Sequence, residues 1–253
     1  MKRLLVTGLL ALALPAAAAA AVDPQLGYRL FGQYCVACHG VAGSGIAPAR
    51  VIGTGPQRVP RQQLGLAPSL QGVGALAADF YLRTGYMPLQ HVGLQPRRKP
   101  VMFDERQLQG LIAYVASLGR GPKVPKPHPE RGSLSEGMQL FTDHCAGCHQ
   151  VVGEGGYVTG ALPPPLKDAT STQIAEAIRI GPYVMPRFST RALSPSQVNS
   201  IVRYVQYAKS PDDRGGWAIG HLGPIPEGLV TWFLGMTALV ACCVAFARRL
   251  RRG

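Results

Sequence analysis

Apolar positions along this chain form two kinds of run. Two are continuous: an uncharged stretch from Leu4 to Val22 behind Lys2 and Arg3, and twenty residues from Gly228 to Ala247 without a charge. At about 1.5 Å per residue the second run crosses the roughly 30 Å hydrocarbon core of a bilayer, so it predicts a transmembrane helix over 228–247. The first reads as a signal peptide over 1–21, with a basic start, an apolar middle and Ala-rich cleavage positions before Asp23. It is also just long enough for a retained N-terminal membrane helix, and both readings stay open.

Between these runs the apolar residues recur at helical spacing. Leu26, Leu30 and Phe31 form one set, and Leu134, Met138 and Phe141 another. Leu108, Leu111, Ile112 and Val115 mark a helix that starts near Asp104 and ends by Gly119. Val198, Ile201, Val202 and Val205 mark one that starts after Ser194, whose hydroxyl suits an N-cap ahead of Pro195. These patterns predict four helices.

The two halves of the middle are copies. Gly27, Leu30, Phe31, Cys35, Cys38 and His39 match Gly137, Leu140, Phe141, Cys145, Cys148 and His149 at a constant offset of 110 residues. Tyr114 and Tyr204 occupy matching places on the closing helices. The copies give a first domain over 22–120 and a second over 132–211. The four prolines of 121–129 exclude regular helix and predict an extended, semi-rigid linker over 121–131. A second Gly/Pro-rich stretch, 212–227, approaches the membrane helix, and 248–253 is a basic tail.

The net charge of +13 needs dividing before it is interpreted. Lys2, Arg3, Arg248, Arg249, Arg251 and Arg252 supply six positive charges and leave +7 for 22–227. By the positive-inside rule the terminal arginines put the C-terminus in the cytoplasm and both domains outside the cell membrane. Arg97, Arg98, Lys99, Arg120, Lys123, Lys126 and Arg131 form a residual basic strip, which reads as a solvated linker at least as well as a docking patch. Nucleic acid is not an expected partner.

The chemistry lies in two pairs of cysteines, each followed by a histidine. Two thiols with two residues between them add to the vinyl groups of haem while the adjacent imidazole reaches iron, so Cys35, Cys38, His39 and Cys145, Cys148, His149 predict two covalently bound haem c groups. A zinc site or thioredoxin-like dithiols would use the same cysteine spacing but need no histidine after each pair. The sixth iron ligand is expected from a later loop, and Met87 and Met185, each followed by a proline, fit. A neutral thioether favours ferrous iron and raises the potential. Met102 and Met138 sit on or near helices instead, and His91 has no counterpart in the second copy. A proximal imidazole normally donates its other nitrogen to a carbonyl, for which Pro68 and Pro164 are candidates by position. Cys242 and Cys243 read as small apolar residues of the membrane helix. If four haem propionates ionise, the +7 falls to about +3.

Each copy resembles a class I cytochrome c domain, through the Gly27/Phe31 and Gly137/Phe141 helices and the closing helices bearing Tyr114 and Tyr204. The resemblance implies an all-α fold, two tandem class I cytochrome c domains plus one C-terminal transmembrane helix. The order of two such domains, the segment 215–228 and one membrane helix resembles the dihaem cytochrome cc subunit of actinobacterial-type cytochrome bcc complexes, as do 84–89, 96–107 and 181–186. That resemblance implies partners: a cytochrome b subunit, a Rieske iron–sulfur subunit that supplies electrons, and an aa3-type cytochrome c oxidase that receives them. The role is that of an electron-transfer subunit of a quinol:cytochrome c reductase, with no substrate chemistry of the chain's own. A membrane-tethered dihaem donor to another oxidase or dehydrogenase shares the domains but not the complex. A dihaem peroxidase would need an iron with an exchangeable position. The first copy departs from the second, with 48 residues from His39 to Met87 against 36 from His149 to Met185, mostly within 46–66.

Overall fold

The structure is a computed structural model that describes residues 23–45, 67–89, 95, 97–212 and 224–251. The signal segment 1–21, the loop 46–66 and His91 lie outside the described residues. Nine α-helices follow in order among the described residues: α1 (Pro24–Tyr34), α2 (Val36–His39), α3 (Gly74–Arg83), α4 (Glu105–Ser117), α5 (Leu134–His144), α6 (Ala146–His149), α7 (Ser171–Ile180), α8 (Pro195–Ala208) and α9 (Pro224–Leu250). The chain divides into two compact units between Val124 and Pro125.

The helix starts are set by side-chain caps. Asp23 accepts from the Gln25 and Leu26 N–H groups ahead of α1, with Pro24 in the first turn. Asp104 and Gln107 form a capping box on α4, Thr170 and Gln173 on α7, and Ser194 and Gln197 on α8. Each box satisfies two backbone N–H groups that the first turn leaves without acceptors.

Each unit is built on a crossing of its opening and closing helices at a glycine. A Cβ on Gly27 would collide with the Gly110 carbonyl oxygen and lie 2.9 Å from Tyr114 Cβ. In the second unit a Cβ on Gly137 would collide with the Ser200 carbonyl and lie 3.0 Å from Tyr204 Cβ. Beside the crossings Phe31 meets Tyr114 with ring centroids 5.1 Å apart, and Phe141 meets Tyr204 at 5.3 Å. Phe31, Leu111, Phe141, Ile201 and Val202 are at most 2% exposed, each burial stabilising by about 1.5–3 kcal/mol relative to exposure. Met138 is an exception to the expected apolar stripe. It is 52% exposed, because the neighbouring Gly137 takes the buried position and turns Met138 outward.

Two further helices, α3 and α7, complete the units; the periodicity had not marked them. Leu76, Ala78, Asp79, Phe80 and Leu82 of α3 are all buried, so its apolar residues follow no single stripe. Its start at Gly74, φ +71°, carries no side-chain cap. Arg83 ties α3 to α4: it donates to Asp79 at 2.8 Å and bidentately to Glu105 at 2.7 Å.

The proline-rich linker is partly docked. The Pro122 carbonyl accepts from Leu76 N–H at 3.1 Å, which fastens its start to the first unit. His128 N–H donates to Asn199 Oδ1 at 2.8 Å, and Pro129–Arg131 forms a 3-10 turn on the second unit. At the other end, α9 starts at Pro224 rather than after Gly228. Prolines fit a first turn because its N–H groups need no intrahelical acceptor. Its last turn includes Arg248 and Arg249, which favour the negative end of the helix dipole. Gly228–Leu250 is long and apolar enough to cross a membrane.

Two outcomes follow for the detergent-solubilised chain. Gly137→Ala should destabilise the second unit by about 2 kcal/mol, since the added methyl meets backbone rather than a movable side chain. Gly32→Ala, where a Cβ has no neighbour within 4 Å, should instead stabilise by up to about 1 kcal/mol; thermal unfolding checks both. Arg83, and then Gln109, hydrogen-bond the Glu105 carboxylate and hold it at about 2 instead of 4.5. The stabilisation from this depressed carboxylate is complete above pH 4.5 and is lost as pH falls toward 2. Glu105→Gln should therefore flatten that acid limb in pH-dependent unfolding. At neutral pH it should cost less than about 1 kcal/mol, because Glu105 is largely exposed.

Candidate haem-binding sites

In both units the opening helix runs directly into the cysteine–histidine motif. The Cys35 N–H donates to the Phe31 carbonyl at 2.9 Å and the Cys145 N–H to Phe141 at 2.8 Å. A new one-turn helix begins at once, α2 or α6, in which the His39 and His149 N–H groups each donate back to the cysteine carbonyl at 2.9 Å. Cysteines three positions apart on one helical turn share a face. None of the four is in a disulfide; Cys38 and Cys148 are exposed, Cys35 half-buried and Cys145 buried.

Burial lifts the Cys35 and Cys145 thiols to about 11, and the neighbouring Cys38 or Cys148 adds to the rise. Dithiol exchange needs the opposite shift, toward thiolate at neutral pH. A structural zinc site needs four ligands, and among the described residues no three His, Cys, Asp or Glu side chains are gathered to hold a metal ion.

Both imidazoles are oriented by a proline carbonyl. His39 Nδ1 lies 3.0 Å from the Pro68 oxygen and His149 Nδ1 3.2 Å from the Pro164 oxygen. A carbonyl only accepts, so Nδ1 carries the proton and Nε2 presents its lone pair, the form that binds a metal. Burial pushes His149 below the ordinary imidazole value, outweighing the upward effect of the Pro164 hydrogen bond.

The loop after each histidine repeats the same bonds. Gly45 N–H donates to the His39 carbonyl at 2.7 Å, and Gly155 N–H to that of His149 at 3.0 Å. Leu70 N–H donates to Gly43 and Leu166 N–H to Gly153, both at 2.8 Å. These bonds draw the proline segment against the histidine turn, and a Cβ on Gly45 would lie 2.6 Å from Ser69 N. Sequence reasoning missed this brace. Its signal is present, because Gly43 and Gly45 match Gly153 and Gly155 at the same offset of 110.

The methionines come from the turns after α3 and α7. Met87 packs against the first unit's core alongside Cys35 and Val36, and Met185 against the second unit's core, which contains Cys145. Met87 N–H donates to the Tyr81 carbonyl and Met185 N–H to that of Pro182, each at 3.0 Å. A cavity of about 300 Å³ opens at Met87, lined also by Gly85, Pro88, Leu89, Lys99, Pro100 and Met102. Each unit therefore brings a thiol and a thioether to one core and fixes an imidazole on the adjoining turn. The chemistry of this donor set fits a covalently attached haem.

Comparison with known proteins agrees with this division. Residues 24–119 match the family model described as "Cytochrome c", and residues 132–205 the model described as "Cytochrome C oxidase, cbb3-type, subunit III". The chain is 36% identical over 235 residues to the "Cytochrome bc1 complex cytochrome c subunit" of Mycobacterium tuberculosis (strain ATCC 25618 / H37Rv), covering 89% of this chain and 78% of that protein. It is 31% identical over 243 residues to the protein of the same description from Corynebacterium diphtheriae, covering 89% and 80%. Cytochrome c4 of Thiocapsa roseopersicina is 24% identical over 207 residues, 76% of this chain and 95% of that one. On the strength of the first two identities, sustained over most of both chains, this chain belongs to the family of cytochrome bc1 complex cytochrome c subunits.

Proposed function

We propose that the chain carries two haem c groups and is the dihaem electron-transfer subunit of a respiratory cytochrome bcc complex. In this reading it takes electrons from the Rieske iron–sulfur protein and delivers them to an aa3-type oxidase. The observation that carries it is the imidazole-to-carbonyl hydrogen bond, repeated at His39–Pro68 and His149–Pro164 directly after each cysteine pair. One such site supports a haem protein; two at equivalent positions of a repeat support a relay. The relatives' description as subunits of a cytochrome bc1 complex supports the assignment to a complex.

Cys35 and Cys38, and Cys145 and Cys148, provide thiols for covalent attachment. His39 and His149 would hold the iron through Nε2, each kept in that tautomer by its proline carbonyl. Met87 and Met185 would hold it through a neutral, soft thioether, a donor set suited to electron transfer rather than to peroxide chemistry. Bound haem supplies one-electron exchange between ferrous and ferric iron without proton or group transfer. The α9 span holds the carrier at the cell membrane, with Arg248 to Arg252 in the cytoplasm and both units outside.

Purification from the native membrane in mild detergent tests the reading. Two haem c groups per chain together with cytochrome b, Rieske and oxidase subunits are expected. Two haems without those subunits would leave a tethered carrier, and none would overturn the account. Met185→Ala should retain both haems, lower the potential of one, and let that one alone bind carbon monoxide when reduced. Redox titration and the carbon monoxide difference spectrum check this, and an unchanged potential would remove Met185 from the iron.

A further inference from the structure

The loop that carries Met185 is closed at its base by a side-chain cation. It leaves α7 through Gly181, whose left-handed φ of +62° and lack of a Cβ let Arg187 N and the Met185 carbonyl pack against it. It returns at Phe188, whose N–H donates to the Ile178 carbonyl at 2.9 Å. Across that neck Arg179 Nη1 donates to the carbonyls of Phe188 at 3.2 Å and Ser189 at 2.9 Å. The Phe188 ring packs on the same core as Met185 and stands 5.8 Å from the ring of His144, the residue before Cys145. Only two residues, Pro186 and Arg187, separate Met185 from the clamped Phe188, so a shift of the neck moves the thioether with it.

The first unit closes its methionine turn differently. Counted from the helix ends, Leu82 stands where Arg179 stands, and it is buried without a donor. There the turn is held by backbone: Met87 N–H to the Tyr81 carbonyl at 3.0 Å and Lys99 N–H to that of Thr84 at 3.3 Å.

We infer that Arg179 is a positioning residue for the second haem, holding the Met185 loop shut so that the thioether stays on iron and outside ligands are refused. The inference rests on the reading of Met185 as an iron ligand. Hydrogen bonds from a charged donor are stronger than neutral ones, and a guanidinium reaches two adjacent carbonyls in a fixed fork. The loop's open population is then set by this clamp, and only in the second unit.

The test uses the full chain with both haems in detergent, oxidised and titrated with imidazole while the methionine-to-ferric-iron charge-transfer band is followed. Arg179→Gln should keep two haems per chain, and imidazole affinity at one of them should rise about tenfold or more, the scale of one lost charged hydrogen bond. Arg179→Lys, which keeps the charge but offers no fork, should fall between, and it carries the test alone if the glutamine variant does not retain its haems. Imidazole affinity at the other haem should stay unchanged in both variants. A lowered unfolding temperature with unchanged imidazole affinity would make Arg179 merely structural and overturn the inference. Met185→Ala separates the two failures: if it abolishes half the band while Arg179→Gln changes nothing, only the clamp is wrong. If Met185→Ala leaves the band whole, the ligand reading and the clamp fall together.

Discussion

Each unit depends on two helix backbones touching. At Gly27 over Gly110 and at Gly137 over Ser200 the approach leaves no room for a Cβ, and ridges of side chains cannot hold the helices apart in the ordinary way. Close approach has a geometric consequence for the rest of the unit. The opening helix is locked in angle and depth, so its C-terminal cysteine emerges against the core. Phe31 and Phe141, pinned under Tyr114 and Tyr204 on the closing helices, set its rotation. Because Cys35 and Cys145 bond back to those phenylalanines' carbonyls, the cysteine–histidine turn inherits its position from the crossing.

From there the control passes through backbone groups. The histidine carbonyl receives a glycine N–H, the carbonyl of the glycine two positions earlier receives a leucine N–H, and the proline two positions before that leucine presents its oxygen to the imidazole. This closed circuit explains how 15 residues of separation between His149 and Pro164 and 29 between His39 and Pro68 give the same bond. The intervening chain differs in length, but the circuit is closed at its two ends. The repeat is thus a repeat of hydrogen-bond partners more than of side chains.

That distinction decides what was legible in the sequence. The cysteine–histidine motifs, the four periodic helices and the apolar span could be read because side-chain identity and period carry them. The start of α8 at Pro195 followed from its Ser194 cap, and the extent of α4 from its apolar face between Asp104 and Gly119. The brace of Gly43, Gly45, Gly153 and Gly155 was harder, since glycine marks many turns and only the common offset singles these out. The helix α3 was hidden because it is buried on several sides. Arg179 was invisible for another reason: its partners are carbonyls, which every residue has, and no sequence pattern distinguishes the two it reaches.

Gln150 shows how firmly the backbone circuit constrains the chain. It stands at φ +60° and ψ 162°, where the first unit has Gly40 at φ +73° and ψ 170°, and a side chain in that region costs roughly 1–3 kcal/mol. The second unit keeps the conformation and offsets the cost with a bond that glycine cannot make, from Gln150 Nε2 to the Gly155 carbonyl at 2.5 Å. That bond spans the same loop that fixes His149, so the compensation also stiffens the brace. Where the circuit must be preserved, residues change only with such compensation. Where the chain lies outside the circuit, as in the methionine turns, anchoring is free to differ. The two units have therefore diverged in how their methionine turns are anchored while keeping the same hydrogen-bond partners around His39 and His149.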